Sequence, residues 1–174
     1  FRSWIALAFA VFHLYTAAFG NLPSLIQRSV HVGFALVLVF LLFSARGRGG
    51  RTVAAVDWLL LAVSLAATAW VAISFDRFMA RLDPTPVDIA LGAAMILCVI
   101  EAARRVIGVA FTVLAVAFLL YAFFGPHIPM PFAHRGFSVS VIVNHLYTSD
   151  LGLWGTTTSV TATVVAIFII FGAV

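Results

Sequence analysis

Glu101, Arg104 and Arg105 form the densest group of ionisable side chains within an apolar stretch of this chain. Glu101 precedes Arg105 by four residues and Arg104 by three. With the acid nearer the amino end, the three can neutralise one another on a helix. Ionisable groups at membrane depth are costly and tend to be paired or functional. Two readings are open: an anchor at the inner membrane edge, with both Arg side chains snorkelling to lipid phosphate, or a clamp between helices or domains. No signature of catalysis accompanies them, since the chain lacks a Gly-rich phosphate loop, a His-Glu-x-x-His and a Gly-x-Ser-x-Gly. No catalytic residue is therefore assigned.

The remaining reactive side chains are dispersed. His13, His31, His127, His134 and His145 never fall at metal-ligand spacing, and no carboxylate lies within a helical turn of any of them. Each reads as a hydrogen-bonded interface histidine, and no metal site is expected. Cys98, midway along an apolar run, reads as a small buried hydrophobe. Arg28 and His31 share a helical face on which Ser29 and Gly33 are small enough to let another helix approach. His134-Arg135-Gly136, flanked by polar and Pro-containing segments, could meet an acidic patch on a partner outside the membrane, or could simply be solvated.

Composition identifies the solvent in which these groups sit. Of 174 residues, 64% are hydrophobic and 9% charged, against about half and about a quarter in a soluble domain. The mean hydropathy is +1.16. So few charges cannot cover the surface of a water-soluble particle, and the surroundings are expected to be a lipid bilayer. Seventeen Phe, four Trp and three Tyr exclude a disordered chain, and a single cysteine excludes a disulfide scaffold. The net charge of +4 does not suggest nucleic acid. It comes from ten Arg and no Lys, scattered between apolar runs, where Arg reads as a topology signal with anionic lipid as its partner.

A spanning helix needs about 20 apolar residues, and about six stretches meet or approach that length, giving an all-α, polytopic fold. They are Ser3 to Phe19, about Leu25 to Phe43, about Val53 to Phe75, two within Val87 to Phe124, and one from about Ser159 onward. The 38 residues of Val87 to Phe124 would make one helix of about 57 Å, twice what a hydrocarbon core of ~30 Å needs. The run is expected to break near Glu101–Arg105 and Gly108. Thr85, Pro86 and Asp88 read as N-cap, first helical residue and capping-box acid, and the three prolines of 125–131 end the fifth span. Val139, Ile142, Val143 and Leu146 recur at helical spacing opposite Ser140, Asn144 and Thr148, predicting a short helix half immersed in the outer interface. The sixth run reaches Val174 without a polar flank and is expected to be incomplete, part of a longer chain. The organisation expected is 1–124 scaffold helices, 125–158 outer loop with interfacial helix, and 159–174 the start of a further unit.

Alternating spans with a cytoplasmic amino end put Arg2, Arg46, Arg48, Arg51, Arg104 and Arg105 inside and Arg28, Arg77, Arg81 and Arg135 outside. The tight Arg46–Arg51 cluster carries most of that bias. Trp4 and Trp58 fall at inner ends of their spans, and Tyr15, Trp70 and Tyr121 towards outer ends, as interface aromatics should.

Five segments occur in an order that resembles a known family: Glu101-Ala-Ala-Arg-Arg-Val-Ile-Gly108, Phe118-Leu-Leu-Tyr-Ala-Phe-Phe-Gly-Pro126, Ala133-His-Arg-Gly-Phe-Ser138, His145-Leu-Tyr147 and Ile167-Phe-Ile-Ile-Phe-Gly-Ala173. Leu14-Tyr-Thr-Ala-Ala-Phe-Gly20 and His31-Val-Gly-Phe-Ala35 extend the likeness to nearly the whole chain. The pattern resembles the fused permease subunit of tripartite ATP-independent periplasmic (TRAP) transporters of the TAXI subtype. The resemblance implies a secondary transporter of the bacterial or archaeal inner membrane, driven by a sodium gradient, with no other cofactor. A periplasmic substrate-binding protein would deliver an organic acid to it. This chain would supply mainly the scaffold and the remainder of the fused permease the transport domain, with the sodium ligands. Glu101, Arg104, Arg105 and Gly108 occupy the family's charged inner-face motif. His134 and Arg135 occupy its outer loop and, with Asp150, are candidates to contact the binding protein. Two departures stand out. The family's Glu before the Gly that follows Leu-Tyr is Leu151 here, with the acid one place earlier at Asp150, and its outer Pro-Gly is Pro129-Met-Pro131. A membrane-embedded enzyme and a non-transporting assembly subunit are the alternatives. The first needs polar groups converging at one depth, whereas the charged cluster and most histidines fall at opposite ends of the spans.

The assigned sides give an experimental expectation. A cysteine at Gly49 resists an impermeant thiol reagent added to intact spheroplasts, while one at Ala133 reacts; the opposite labelling pattern inverts the topology.

Overall fold

The computed structural model describes residues 2–43 and 55–173. The Arg46–Arg51 loop, on which the assigned orientation leans, lies outside the described residues. The described residues are all-α: α1 (Arg2–Phe19), α2 (Ser24–Leu42), α3 (Ala55–Ile73), α4 (Phe75–Met79), α5 (Pro86–Val106), α6 (Val109–Phe124), α7 (Val139–Val143), α8 (Thr156–Val160) and α9 (Ala166–Ala173). A π-helical turn, Asn144–Thr148, prolongs α7, and another, Thr161–Val165, joins α8 to α9 in one helical rod. Four helices are long and apolar enough to cross a membrane: α2, α3, α5, and α6 with its short 3-10 extension to His127. Ser3–Phe19 and Thr156–Gly172 are shorter apolar helices. The chain is a polytopic helical membrane protein.

Local chemistry sets the boundaries. Thr85 caps α5 as expected: its hydroxyl accepts from the Asp88 amide at 3.3 Å, and Asp88 Oδ2 accepts from the Thr85 amide at 2.7 Å. The long apolar run breaks at Gly108, whose φ of +116° is a region closed to most side chains. The break reverses the chain. Phe137 N–H donates to Ala122 O near the end of α6, and Val143, six residues on, packs against Gly92 near the start of α5. Six residues span about 20 Å at most, so α6 must run back alongside α5. Two bounds differ from expectation. The third span ends at Ile73, where buried Ser74 turns the chain into α4, and the last helix begins at Thr156, three residues before Ser159.

The core lies between α2, α3, α5 and the α7 segment, with Leu36, Phe40, Val71, Met95, Cys98, Val143, Tyr147 and Trp154 all buried in it. Close approach follows from small residues. A Cβ on Gly33 would sit 3.2 Å from Thr68 Oγ1 of α3, the helix contact that Ser29 and Gly33 suggested. On α6, by contrast, no residue is buried, and Phe111, Phe118 and Phe124 are among its exposed side chains.

The α7 segment is the short helix expected, with a different set of residues on its inward face. Its inward face is Val143, Tyr147 and Thr148, all buried, while Val139 is 48% exposed. Thr148 had been assigned to the polar face. Tyr147 follows Val143 by four residues on the same helical face, and the two fill the notch that Gly92 leaves on α5; the π turn, with its wider circuit, lets Thr148 join them.

That notch is tight: a Cβ on Gly92 would meet Val143 Cγ1 at 2.5 Å and Tyr147 Cδ1 at 2.8 Å, whereas one on Gly172 meets nothing within 4 Å. Gly92→Ala should lower stability in detergent by ~1–3 kcal/mol through overpacking, and Gly172→Ala should not. Equal unfolding midpoints for the two variants would contradict this packing.

Candidate functional site

Polar side chains gather at the two ends of the α2–α3–α5 bundle. At one end Arg105, only 4% exposed on its side chain, joins three helices. Its Nη1 donates to Asp57 Oδ1 of α3 at 2.6 Å and to the carbonyl of Phe43, just past α2, at 2.8 Å. Its Nε donates to Glu101 Oε1 at 2.7 Å, and the guanidinium lies 5.1 Å from the centre of the Phe40 ring. Arg104 grips Glu101 with two bonds, 2.7 and 2.8 Å, from an outward position. Both readings of the cluster thus find a residue: Arg105 is the clamp between helices, and Arg104 sits where a snorkelling anchor would. Sequence reasoning missed Asp57 as the fourth member. Its one signal was an acid in the first turn of an otherwise apolar span.

Asp88 organises the opposite end. Its Oδ1 accepts from Trp70 Nε1 at 2.7 Å, and its Oδ2 from Arg77 at 2.9 Å and from the amide and hydroxyl of Thr85, both at 2.7 Å. A fully buried carboxylate is tolerable when its lone pairs are filled in this way. Tyr147 lies close by and donates its hydroxyl to Ala67 O at 2.6 Å. Burial, reinforced by the Asp88 charge, pushes this phenol up from its ordinary value, so it stays a donor. Trp154 Nε1 donates to Tyr147 O, and Arg28 Nη1 donates to Trp154 O at 2.6 Å, so the segment before the last helix is tied to α2.

The outer-loop candidates separate into two places. His134 packs on the end of α6: its Nδ1 accepts from Gly136 N–H at 3.1 Å, which leaves the proton on Nε2, 3.0 Å from Tyr121 O. This histidine holds the loop in shape. Arg135 is exposed, 5.8 Å from the Phe137 ring centre. Asp150 is also exposed and lines a different feature, a cleft of about 400 Å³ shared with Arg81, Asn144 and His145. No hydrogen bond or ion pair joins Asp150 to His134 or Arg135 among the described residues.

One pairing was not legible from spacing. His13 Nε2 and His31 Nδ1 are 3.0 Å apart between α1 and α2, ringed by Phe9, Phe12 and Phe34. At that distance one imidazole donates to the other. Next to them Thr16 Oγ1 donates to His13 O and accepts from Gln27 Nε2, both at 3.2 Å. No group of three or more potential His, Cys, Asp or Glu ligands converges among the described residues.

Comparison with protein-family models, with curated proteins and with solved structures finds no match to this chain.

The clamp makes a graded prediction. Arg105→Met breaks the buried bond that ties α3 to α5 and should cost ~3–5 kcal/mol, while Arg104→Ala, on a half-exposed pair, should cost ~0–1 kcal/mol. Denaturant titration in mixed micelles reads both, and equal losses for the two Arg variants would remove the clamp.

Proposed function

We propose that this chain is the scaffold-bearing amino-terminal portion of a TRAP-type fused permease of the TAXI subtype, in an inner membrane with its amino end cytoplasmic. In this reading it takes part in sodium-driven, binding-protein-dependent uptake of an organic acid. The observation that carries it is the order of motifs from Glu101–Gly108 through Ile167–Ala173, joined by the opening segments Leu14–Gly20 and His31–Ala35.

Several physical features support a scaffold. Arg105, Asp57 and Glu101 at one end, and Arg77 and Asp88 at the other, spend their charge on holding helices together. A body fixed at both ends suits a fixed support more than a moving carrier. The apolar, unburied α6 offers a surface on which the remainder of the permease can pack. Arg135 and Asp150, exposed at the outer end, offer charges of both signs to a periplasmic binding protein.

The full-length protein in proteoliposomes should accumulate substrate only with its binding protein present and sodium high outside. Uptake indifferent to sodium, or to the binding protein, rejects this assignment.

A further inference from the structure

We propose that Arg28 is the centre of a binding site for an oxyanion that carries its own hydrogen-bond donor, set between the start of α2 and the start of the last helix. The chain has six acids, and all are among the described residues. None pairs with Arg28: the ion pairs of Asp57, Asp88 and Glu101 go to Arg105, Arg77 and Arg104. Arg28 bonds only the carbonyl of Trp154 among the described residues, through one of its nitrogens. It lies four residues, about 6 Å, inside a helix whose length matches the hydrocarbon core. A guanidinium at that depth with no acid beside it is short of a counter-charge.

The surroundings are built for an anion. Arg28 opens on a cavity of about 130 Å³ lined also by Asn21, Ser24, Gln27, Ser159 and Thr163. The side chains of Asn21, Ser24 and Ser159 make no hydrogen bond among the described residues and can donate into it. The first turn of α2 has no side-chain cap, so its free amides add positive potential on the same side. The cavity is far below the ~300–1,000 Å³ of a drug-sized site, which limits the bound part to a single phosphate or carboxylate group and its near neighbours.

Gln27 makes the ligand more specific. It is 2% exposed, its amide nitrogen is committed to Thr16, and its buried Oε1 has no partner. An acceptor facing an anion repels it unless the ligand also brings a hydroxyl or N–H. Phosphatidylglycerol and phosphatidylethanolamine headgroups carry that combination, as does a soluble 2-hydroxy acid; phosphatidylcholine does not.

Native mass spectrometry of the purified full chain separates the sources. If the ligand is lipid, the wild type should keep one phosphatidylglycerol or phosphatidylethanolamine through delipidation in preference to phosphatidylcholine. Arg28→Gln should lower that occupancy at least ten-fold, Arg28→Lys should retain part of it, and Gln27→Met should erase the headgroup preference. If the ligand is soluble, no lipid is retained, and glycolate should raise the melting temperature of the wild type but not of Arg28→Gln. Equal wild-type retention of phosphatidylcholine and phosphatidylglycerol overturns the donor requirement. Absence of both lipid retention and a glycolate response in the wild type overturns the site, and that result does not depend on any variant folding.

Discussion

Arg105 meets Asp57 in a setting where neither has water to fall back on. The two side chains are 4% and 0% exposed, and an ion pair so placed gains more from Coulomb attraction than one in water but loses its hydration. Such a pair is a weak source of net stability and a strong source of uniqueness. Parting α3 from α5 breaks the buried bond between Arg105 and Asp57 and leaves each with fewer partners where water is scarce. Because Arg105 also bonds the carbonyl beyond α2, the end of that helix is held to the same point. Three helices thus share one vertex, and the bundle's register along the membrane normal follows from it.

Asp88 supplies the second vertex on the same helix. It stands about 26 Å from Arg105 along α5 at 1.5 Å per residue, close to the hydrocarbon thickness of ~30 Å. Both ionic groups therefore fall near the two polar boundaries, and between them the buried residues of α5 are Gly92, Met95, Cys98 and Ala102, flanked by the partly buried Leu91, Ile96 and Val99. The middle of the bundle is held mainly by shape, with the Tyr147 hydroxyl bonded to Ala67 O there. Gly92 against Val143 is a tighter approach than Gly33 against Thr68, since an added methyl would overlap Val143 Cγ1 at 2.5 Å, while one on Gly33 would press on Thr68 at 3.2 Å and ask it to give by a few tenths of an ångström.

The legibility of this arrangement in the sequence depended on distance along the chain. Helix boundaries, the Thr85–Asp88 cap and the Gly108 break are local events and could be read from residue type and spacing. So could the Glu101–Arg105 pair, which is one helical turn long. Asp57 could not be read as its partner, nor His31 as the partner of His13, because no periodicity links residues on different helices. The α7 segment is a short helix as its spacing predicts, but the polar face predicted for Thr148 does not hold: the π turn after Val143 widens the circuit, so Thr148 is buried beside Val143 and Tyr147. The candidates His134, Arg135 and Asp150 were grouped by their nearness in sequence to one outer loop, and the fold parts them because His134 is drawn onto the end of α6 by the Tyr121 carbonyl.

Two chemically different seams meet on α2. Towards α3 and α5 it is bound by the ionic vertex and by a continuous apolar core. Towards α1 and the last helix it is bound by isolated hydrogen bonds: the neutral His13–His31 and Thr16–Gln27 bonds and the single bond from Arg28 to Trp154 O. Neutral hydrogen bonds between membrane helices average only about 0.6 kcal/mol, far less than the cost of parting buried ions. The first seam therefore defines a rigid body and the second defines where that body can yield. Among the described residues Arg28 has no acid beside it, so an anion seated there would stiffen a contact with Trp154 that a single bond holds.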